Sequence, residues 1–240
     1  MRPVDLALPN SLTFTFYALV AWALSAVFAA FRILAGEHVQ KALWMRGLMV
    51  LWLGLPAYLA IRGVFWDFAS DPPKLMRVVL PMGVLVTAFC LSPWGKDAAR
   101  KLPESLLVGT QGFRLPLEIV LYYLATHQVI SKEMTLAGYN YDIITGILAF
   151  PLWWNIRQLK APRWALWAWN VLGMTLLVIV VTLAVLGFPR PFGLFHPPNV
   201  VVVAYPWVWL PTFLVPIALC SHLLMFRKLL LPASKERPNI

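Results

Sequence analysis

The amino-acid sequence predicts an all-α protein, a polytopic membrane helix bundle with seven transmembrane helices. Three observations predict this fold class. Hydrophobic residues make up 60% of the chain and charged residues only 12%, whereas soluble domains carry about 25% charged residues. The apolar residues form long runs, and a bilayer-spanning helix needs about 20 mostly apolar residues. The lysine and arginine residues are divided unevenly between the loops on the two sides of those runs.

Seven apolar runs are long enough to be predicted as spans of a single transmembrane domain over 1–240. They cover about 11–35, 47–65, 75–95, 112–130, 139–157, 164–187 and 201–226. Proline-containing segments separate several of them, for example Asp71-Pro72-Pro73. A basic cytoplasmic tail is predicted over 227–240.

The basic residues also predict the orientation. With seven spans, 14 of the 20 Lys and Arg residues fall on one side of the membrane. Because cytoplasmic loops carry the excess of Lys and Arg, this side is predicted to face the cytoplasm. The N-terminus is then outside and the C-terminus inside, which requires an odd number of spans. We therefore expect a multi-pass protein of the inner (cytoplasmic) cell membrane.

The net charge of +10 does not indicate nucleic-acid binding, because the basic residues lie in short loops between apolar runs. The expected partner is the lipid bilayer. The first run is predicted to be a retained helix and not a cleaved signal peptide, since only Arg2 precedes it as a basic residue and it continues to about Ala35. Cys90 and Cys220 both fall inside apolar runs and are predicted to be buried thiols outside any disulfide framework.

Polar side chains recur along the fourth span at steps of three or four residues, the spacing of one helix face. They are Gln111, Arg114, Glu118, Tyr122 and Thr126. Arg114 and Glu118 are four residues apart, so they are predicted to pair. One interpretation is an ion pair near the inner interface, with Arg114 snorkelling. The other is a working site, because ionisable groups inside spans are usually functional.

The fifth predicted span begins with Tyr139, Asn140 and Asp142. Asn140 can cap this helix, and Asp142 can lie in its first turn, where the helix dipole favours an acidic group. In the functional interpretation the aromatic residues and Asp142 line an outward-facing pocket.

Depth in the membrane divides the polar residues into two predicted clusters. Asn140 and Asn155 are 15 residues apart on one helix, which is about 22 Å at 1.5 Å per residue. Asp142 is therefore placed in the outer half and Glu118 in the inner half, too far apart to act together. The inner polar cluster is Arg114, Glu118, Asn155, Asn170 and His222. The outer polar cluster is Arg62, Asp67, His127, Tyr139, Asn140, Asp142, His196 and Asn199, and Tyr122 with Thr126 forms the connecting stripe.

No cofactor and no metal is predicted. The four histidines are scattered, without the spacing of metal ligands, and the sequence contains no P-loop or GxSxG motif. Every lysine lies in a loop or at a helix end, which argues against a retinal-type Schiff base. No catalytic residue can be named, and the sequence leans against an enzyme.

Several short motifs stand in the second half of the chain: Phe113-Arg114-x-Pro116-x-Glu118, Met134-Thr135, Gly138-x-Asn140-x-Asp142, Pro198-Asn199 and Pro206-x-Val208-Trp209-Leu210-Pro211. They resemble a family of uncharacterised bacterial multi-pass inner-membrane proteins. The resemblance implies a seven-helix membrane protein and no established activity. In that family a glutamate often occupies the position that matches Ala137. This chain therefore lacks that carboxylate.

The leading hypothesis is a small transporter or permease-like protein for a small solute or ion. It depends on the polar residues in both membrane halves and on the prolines within the spans, of which Pro206, Pro211 and Pro216 make the last helix the one expected to bend. Glu118 would be the ion- or proton-coupled group and Arg114 would tune it. Asp142 would lie at the outer entrance.

Two alternatives belong to other classes. One is a membrane-embedded enzyme acting on a lipid or isoprenoid, which needs its catalytic groups at one depth. The other is a sensor or receptor subunit whose outer pocket contains Tyr139, Asp142, His196 and Asn199. A sensor would need a partner subunit, because the cytoplasmic loops are short, and a homo-oligomer is also compatible with the sequence.

Overall fold

The computed structural model describes residues 9–158, 161–189 and 191–232. These residues form helices, turns and loops, with no strand among them. The nine α-helices of the described residues are α1 (Asn10–Ala35), α2 (Val39–Ile61), α3 (Met76–Leu91), α4 (Pro93–Lys101), α5 (Glu104–Thr110), α6 (Arg114–Thr126), α7 (Ile143–Gln158), α8 (Arg163–Leu186) and α9 (Val215–Leu230). The prediction of an all-α protein is confirmed for this part of the chain.

Within the part of the chain that the structure describes, four helical segments are long and apolar enough to cross a membrane: α1, α2, α8 and the continuous segment Leu210–Leu230, which contains α9. A fifth is formed if α3 and α4 count as one span, although the chain bends by 72° between them. Each of the seven predicted runs overlaps a helix, but α3, α6 and α7 have only 16, 13 and 16 residues. Length and composition therefore support four or five spans.

Several predicted boundaries are wrong. The second run was placed at 47–65, whereas α2 begins at Val39 and carries Lys41 and Arg46 in its first turns. The last run was placed at 201–226, whereas 201–209 forms short turns and the long helix runs from Leu210 to Leu230. The charged residues at the start of α2 were interpreted as a loop, and the apolar turns at 201–209 were interpreted as a helix. Composition alone does not distinguish a charged helix end from a loop, or an apolar turn from a helix. Part of the predicted tail, 227–230, is helical, and its residues 233–240 lie outside the described residues.

Large apolar side chains cover much of the outer surface of the bundle. Phe14, Leu51, Val84 and Leu85 are each at least 65% exposed. Such a continuous apolar exterior has no counterpart on a soluble monomer, where large exposed apolar patches are rare. It is the surface that a lipid bilayer requires.

The segment Leu210–Leu230 lies at the centre of the bundle, where half of its most apolar stretch is buried, against 22% for α1 and for α2. It packs against α3, α4, α5 and α8. It begins with one π-helical stretch, Leu210–Leu214. At its other end Lys228 donates hydrogen bonds to the carbonyls of Ala99, at 3.0 Å, and Leu102, at 2.9 Å. The lysine thereby satisfies carbonyls at the C-terminal end of α4.

The two cysteines face each other between α3 and α9. Cys90 is buried and Cys220 partly buried, both are free thiols, and their sulfur atoms are 3.6 Å apart. Both cysteines are free thiols as predicted, but the predicted burial holds only for Cys90.

Candidate functional site

The centre of the polar core is a buried ion pair between Arg114 and Asp142. Arg114 opens α6 and Asp142 immediately precedes α7. The guanidinium Nη1 donates to the Asp142 carboxylate at 2.6 Å and to the carbonyl of Gly173, on α8, at 3.2 Å. The side chains of Arg114 and Asp142 are only 1% and 7% exposed. Arg114 therefore joins three helices through charge-assisted hydrogen bonds.

Glu118 lies one turn beyond Arg114 and is held by Asn140. The Asn140 amide Nδ2 donates to Glu118 Oε1 at 2.5 Å and to the carbonyl of Met134 at 3.0 Å. Its Oδ1 accepts the backbone N–H of Asp142 at 3.1 Å. Asn140 therefore forms an Asx turn just before α7. The prediction that it caps the helix and that Asp142 lies in the first turn is wrong, because α7 begins only at Ile143. Asn140 also fixes both carboxylates relative to each other.

The predicted division into an inner and an outer cluster is wrong, because Arg114 and Glu118 contact Asp142 and Asn140. The error came from assuming that the fifth span begins at the outer surface. The chain after α6 instead returns into the bundle, where Ile130, Ser131, Met134 and Thr135 are all buried. It returns along the length of α6 before α7 begins. The predicted Arg114–Glu118 ion pair is replaced by the pair between Arg114 and Asp142.

A second buried pair, Asn170 and His222, joins α8 to α9. Asn170 Nδ2 donates to the His222 carbonyl at 3.2 Å, and Asn170 Oδ1 lies 2.7 Å from His222 Nδ1. Since Oδ1 can only accept, Nδ1 carries the proton and Nε2 is a free acceptor. Neither Nε2 nor the Oε1 of the buried Gln111 has a hydrogen-bond partner among the described residues.

Gly173 allows these two pairs to approach each other. A Cβ atom at this position would lie 2.5 Å from His222 Cε1 and 2.8 Å from Thr145 Cγ2. Thr145 itself lies 3.5 Å from the Asp142 carboxylate. The sequence analysis missed both residues. A threonine three residues after an acidic helix cap is a local signal that could have found Thr145, whereas nothing in a single sequence marks Gly173.

A cavity of about 130 Å³ adjoins the polar core. Its walls are apolar side chains of α3, α6 and α8 and of the segment Leu210–Leu230, with Asn199 among its few polar residues. Arg114, Glu118 and Asp142 form its polar end. Two buried atoms of this end have no hydrogen-bond partner among the described residues, Arg114 Nη2 and Glu118 Oε2. The cavity thus combines apolar walls with one free donor and one free acceptor.

A family model described as a domain of unknown function, DUF8737, matches residues 73–230. This match covers about two thirds of the chain. The chain belongs to the DUF8737 family. No curated protein and no solved structure matches it. The matched region of this DUF8737 protein contains the ion pair, the Asn170–His222 pair and the residues that line the cavity.

The predicted stripe on α6 of the DUF8737 protein is only half correct. Gln111, Arg114 and Glu118 are buried, whereas Tyr122 and Thr126 are exposed. A step of four residues advances about 40° beyond a full helical turn at 3.6 residues per turn. Two further steps therefore rotate the stripe out of the core, and Tyr122 and Thr126 connect nothing.

Other predicted site residues also lie away from the polar core. Asn155 is half-buried and donates to the carbonyl of Pro151, one turn earlier on its own helix. Asp67 forms an ion pair with Lys74 at 2.9 Å. The remaining ones are exposed: Arg62, His127, Tyr139 and His196. The outer pocket expected from Tyr139, Asp142, His196 and Asn199 is therefore not assembled, since Asp142 and Asn199 are buried and line the cavity while the other two are exposed.

No group of three or more His, Cys, Asp or Glu residues that could hold a metal ion is found within 9–158, 161–189 and 191–232. The chemistry available at the site is hydrogen bonding, charge pairing and proton exchange.

Proposed function

We propose that this DUF8737 protein is a seven-span protein of the cytoplasmic membrane, with its N-terminus outside and its C-terminus in the cytoplasm. The excess of basic residues on one side supports this orientation. The run from Glu104 to Thr126 consists of helical segments of 7, 3 and 13 residues, together about 35 Å long, which is enough to cross a hydrocarbon core of roughly 30 Å. With α3 and α7 as shorter spans, the total is seven.

Within this topology, the protein is a permease for a small amphipathic solute. The observation that carries the proposal is the cavity of about 130 Å³ with apolar walls and a polar end formed by Arg114, Glu118 and Asp142. Ligand sites commonly combine apolar walls with a few placed polar groups. A hydrated inorganic ion fits such walls poorly, because burial of a charge without several polar partners is costly.

Glu118 is the proton-exchanging group of this permease. The Asp142 carboxylate is paired with Arg114, whereas Glu118 lines the cavity and its buried Oε2 lacks a partner among the described residues. An intramembrane carboxylate that is open to a cavity is a usual proton or ion site in transporters. Arg114 tunes Glu118 by its charge, and Asn140 holds it in place.

The segment Leu210–Leu230 provides the movement. Leu210, Pro211 and Leu214 of its π-helical stretch line the cavity. Such π-helical turns are frequent at functional sites. Pro216 follows two residues after this stretch and removes one backbone hydrogen bond. The last helix, which the prolines predicted to bend, thus changes from π-helical to α-helical geometry where it meets the cavity.

The test is uptake by proteoliposomes under an imposed pH gradient. The probes are three charged amphiphiles with short alkyl chains that cross bilayers slowly: hexanesulfonate, hexyltrimethylammonium and norleucine. We expect protein-dependent uptake of at least one, together with loss of that uptake in Glu118→Gln. The matched control is Glu37→Gln, because Glu37 is an exposed glutamate between α1 and α2. Equal leakage of all three probes with and without the protein would contradict a permease.

A further inference from the structure

Two charged residues that line the cavity each keep one buried polar atom without a partner among the described residues, and together they define the charge pattern of its ligand. Arg114 Nη2 belongs to a cation and can only donate, and Glu118 Oε2 belongs to an acidic group. Both side chains are at least 97% buried, and both atoms lack a partner among the described residues. The two residues are one helical turn apart on α6, so their ends are neighbours on one face. A positive and a negative group therefore occur one helical turn apart in the lining of the cavity, together with Asp142, whose charge is paired with Arg114.

We infer that the solute is a small apolar α-amino acid, whose carboxylate accepts from Arg114 Nη2 and whose ammonium group donates to Glu118 Oε2. This inference rests on the proposed permease function and names its substrate class. A zwitterion satisfies both free atoms at once, and charge-assisted hydrogen bonds of this kind are the strong ones. Transfer of a zwitterion across a bilayer also requires a protein, since burial of unpaired charges is prohibitive.

Ligands with a single charge fit less well. An amphipathic anion would pair with Arg114 and place a second negative group beside Glu118. An amphipathic amine would pair with Glu118 and leave the Arg114 donor unpaired. In either case one of the two buried polar atoms would remain without a partner, which costs about 1–3 kcal/mol in proteins.

The size and lining of the cavity select the side chain. A protein cavity of about 150 Å³ accommodates benzene, which has six carbon atoms. The cavity here is about 130 Å³. The walls include Leu117, Leu121, Leu177 and Val181, so a small aliphatic side chain, as in leucine, is the matching partner.

The experiment is equilibrium binding of tritiated L-leucine to the purified protein, with unlabelled competitors of the same shape. Isocaproate lacks the amine, isoamylamine lacks the carboxylate, and isoamyl alcohol lacks both charges. We expect leucine to displace the label at least about tenfold more effectively than any of the three, a difference of about 1.4 kcal/mol. Equal displacement by isocaproate, isoamylamine or isoamyl alcohol would overturn the zwitterion, as would the absence of leucine binding to the folded protein.

Two variants locate the site. Glu118→Gln retains an oxygen for Asn140 but removes the acidic oxygen, so leucine affinity should fall about tenfold, while isocaproate should bind more tightly because its carboxylate no longer lies beside a second negative group. Ala184→Leu fills the cavity without touching the charged residues, and it should weaken leucine and isoamyl alcohol alike. Unchanged leucine affinity in both variants would place the binding elsewhere and overturn the inference.

The binding and uptake experiments separate the two proposals. Leucine binding without uptake of any probe would retain the amino-acid site and overturn the permease. Uptake of hexanesulfonate or hexyltrimethylammonium without leucine binding would retain the permease and overturn the amino-acid inference.

Discussion

Arg114 and Asp142 are 28 positions apart in the sequence, yet the guanidinium Nη1 and the carboxylate Oδ1 are 2.6 Å apart. This single contact brings the start of α6 to the start of α7. It is possible because the chain between the two helices folds back into the bundle. The second guanidinium nitrogen, Nη2, is buried and has no hydrogen-bond partner among the described residues, and Arg114 is one of the residues that line the cavity.

Removing one partner of this pair should be strongly destabilising. Asp142→Asn leaves the buried Arg114 cation without its counter-ion, and loss of one partner of a buried ion pair costs about 3–5 kcal/mol. Thermal unfolding in detergent micelles measures the loss. The double variant Arg114→Met with Asp142→Leu should recover most of it, because two apolar residues leave no unpaired charge.

The matched control for Asp142→Asn is Asp97→Asn. Asp97 pairs with Lys101 at 3.0 Å, but both side chains are more than half exposed. Exposed pairs contribute about 0–1 kcal/mol. Similar destabilisation by the two substitutions would mean that the Arg114–Asp142 pair is not the structural centre of the site.

The individual site residues could be predicted from the sequence, because polar groups inside apolar runs are rare enough to be recognised one by one. Arg114, Glu118, Asn140, Asp142 and Asn170 were all found in this way. Their assembly could not be predicted. It depends on the course of the chain between α6 and α7, where apolar and polar residues alternate without a helical or strand period.

The bounds of a helix could be predicted where the helix coincides with a long run of apolar residues. Runs such as α1 and α8 have the composition of a span along their whole length, so their bounds agree with the prediction within one or two residues. The start of α2 was missed because Lys41 and Arg46 are long enough to reach water from inside a helix. The turns at 201–209 were missed because their valines and tryptophans are as apolar as a span.

The close approach of α6 and α7 predicts a sharp dependence on Gly146. A Cβ at this position would lie 2.5 Å from the backbone nitrogen of Leu115. Backbone atoms cannot rotate away as a side chain can, so Gly146→Ala should separate the helices and destabilise the protein by about 1–3 kcal/mol. The unfolding temperature in micelles measures this. Gly83→Ala on α3 is the control, because nothing lies within 4 Å of its Cβ position, and it should be neutral or stabilising.

The loop before α3 should titrate differently when Lys74 is removed. The hydrogen bond from Lys74 lowers the pKa of the Asp67 carboxyl from its ordinary value. Since the folded pKa is the lower one, the ion pair contributes stability above the unfolded pKa of about 3.9, and the contribution is lost as the pH falls through the folded value. Lys74→Met should raise the carboxyl midpoint in a carbon-13 NMR titration. Lys132→Met, in another loop, should leave it unchanged.

The indole of Trp52 on α2 should stabilise the last helix at its π-helical stretch. Its Nε1 donates to the carbonyl of Thr212 at 2.9 Å, and this carbonyl lies four residues before Pro216, which has no N–H to offer. Trp52→Phe leaves the carbonyl without that donor, at a cost of about 1–3 kcal/mol. Pro216→Ala restores an N–H, so Trp52→Phe should cost less in that background, and a double-mutant cycle of unfolding free energies measures the difference.

Trp94→Phe is the control, since Trp94 is 77% exposed. An equal effect of Trp52→Phe in both backgrounds would show that the indole does not replace the missing backbone donor.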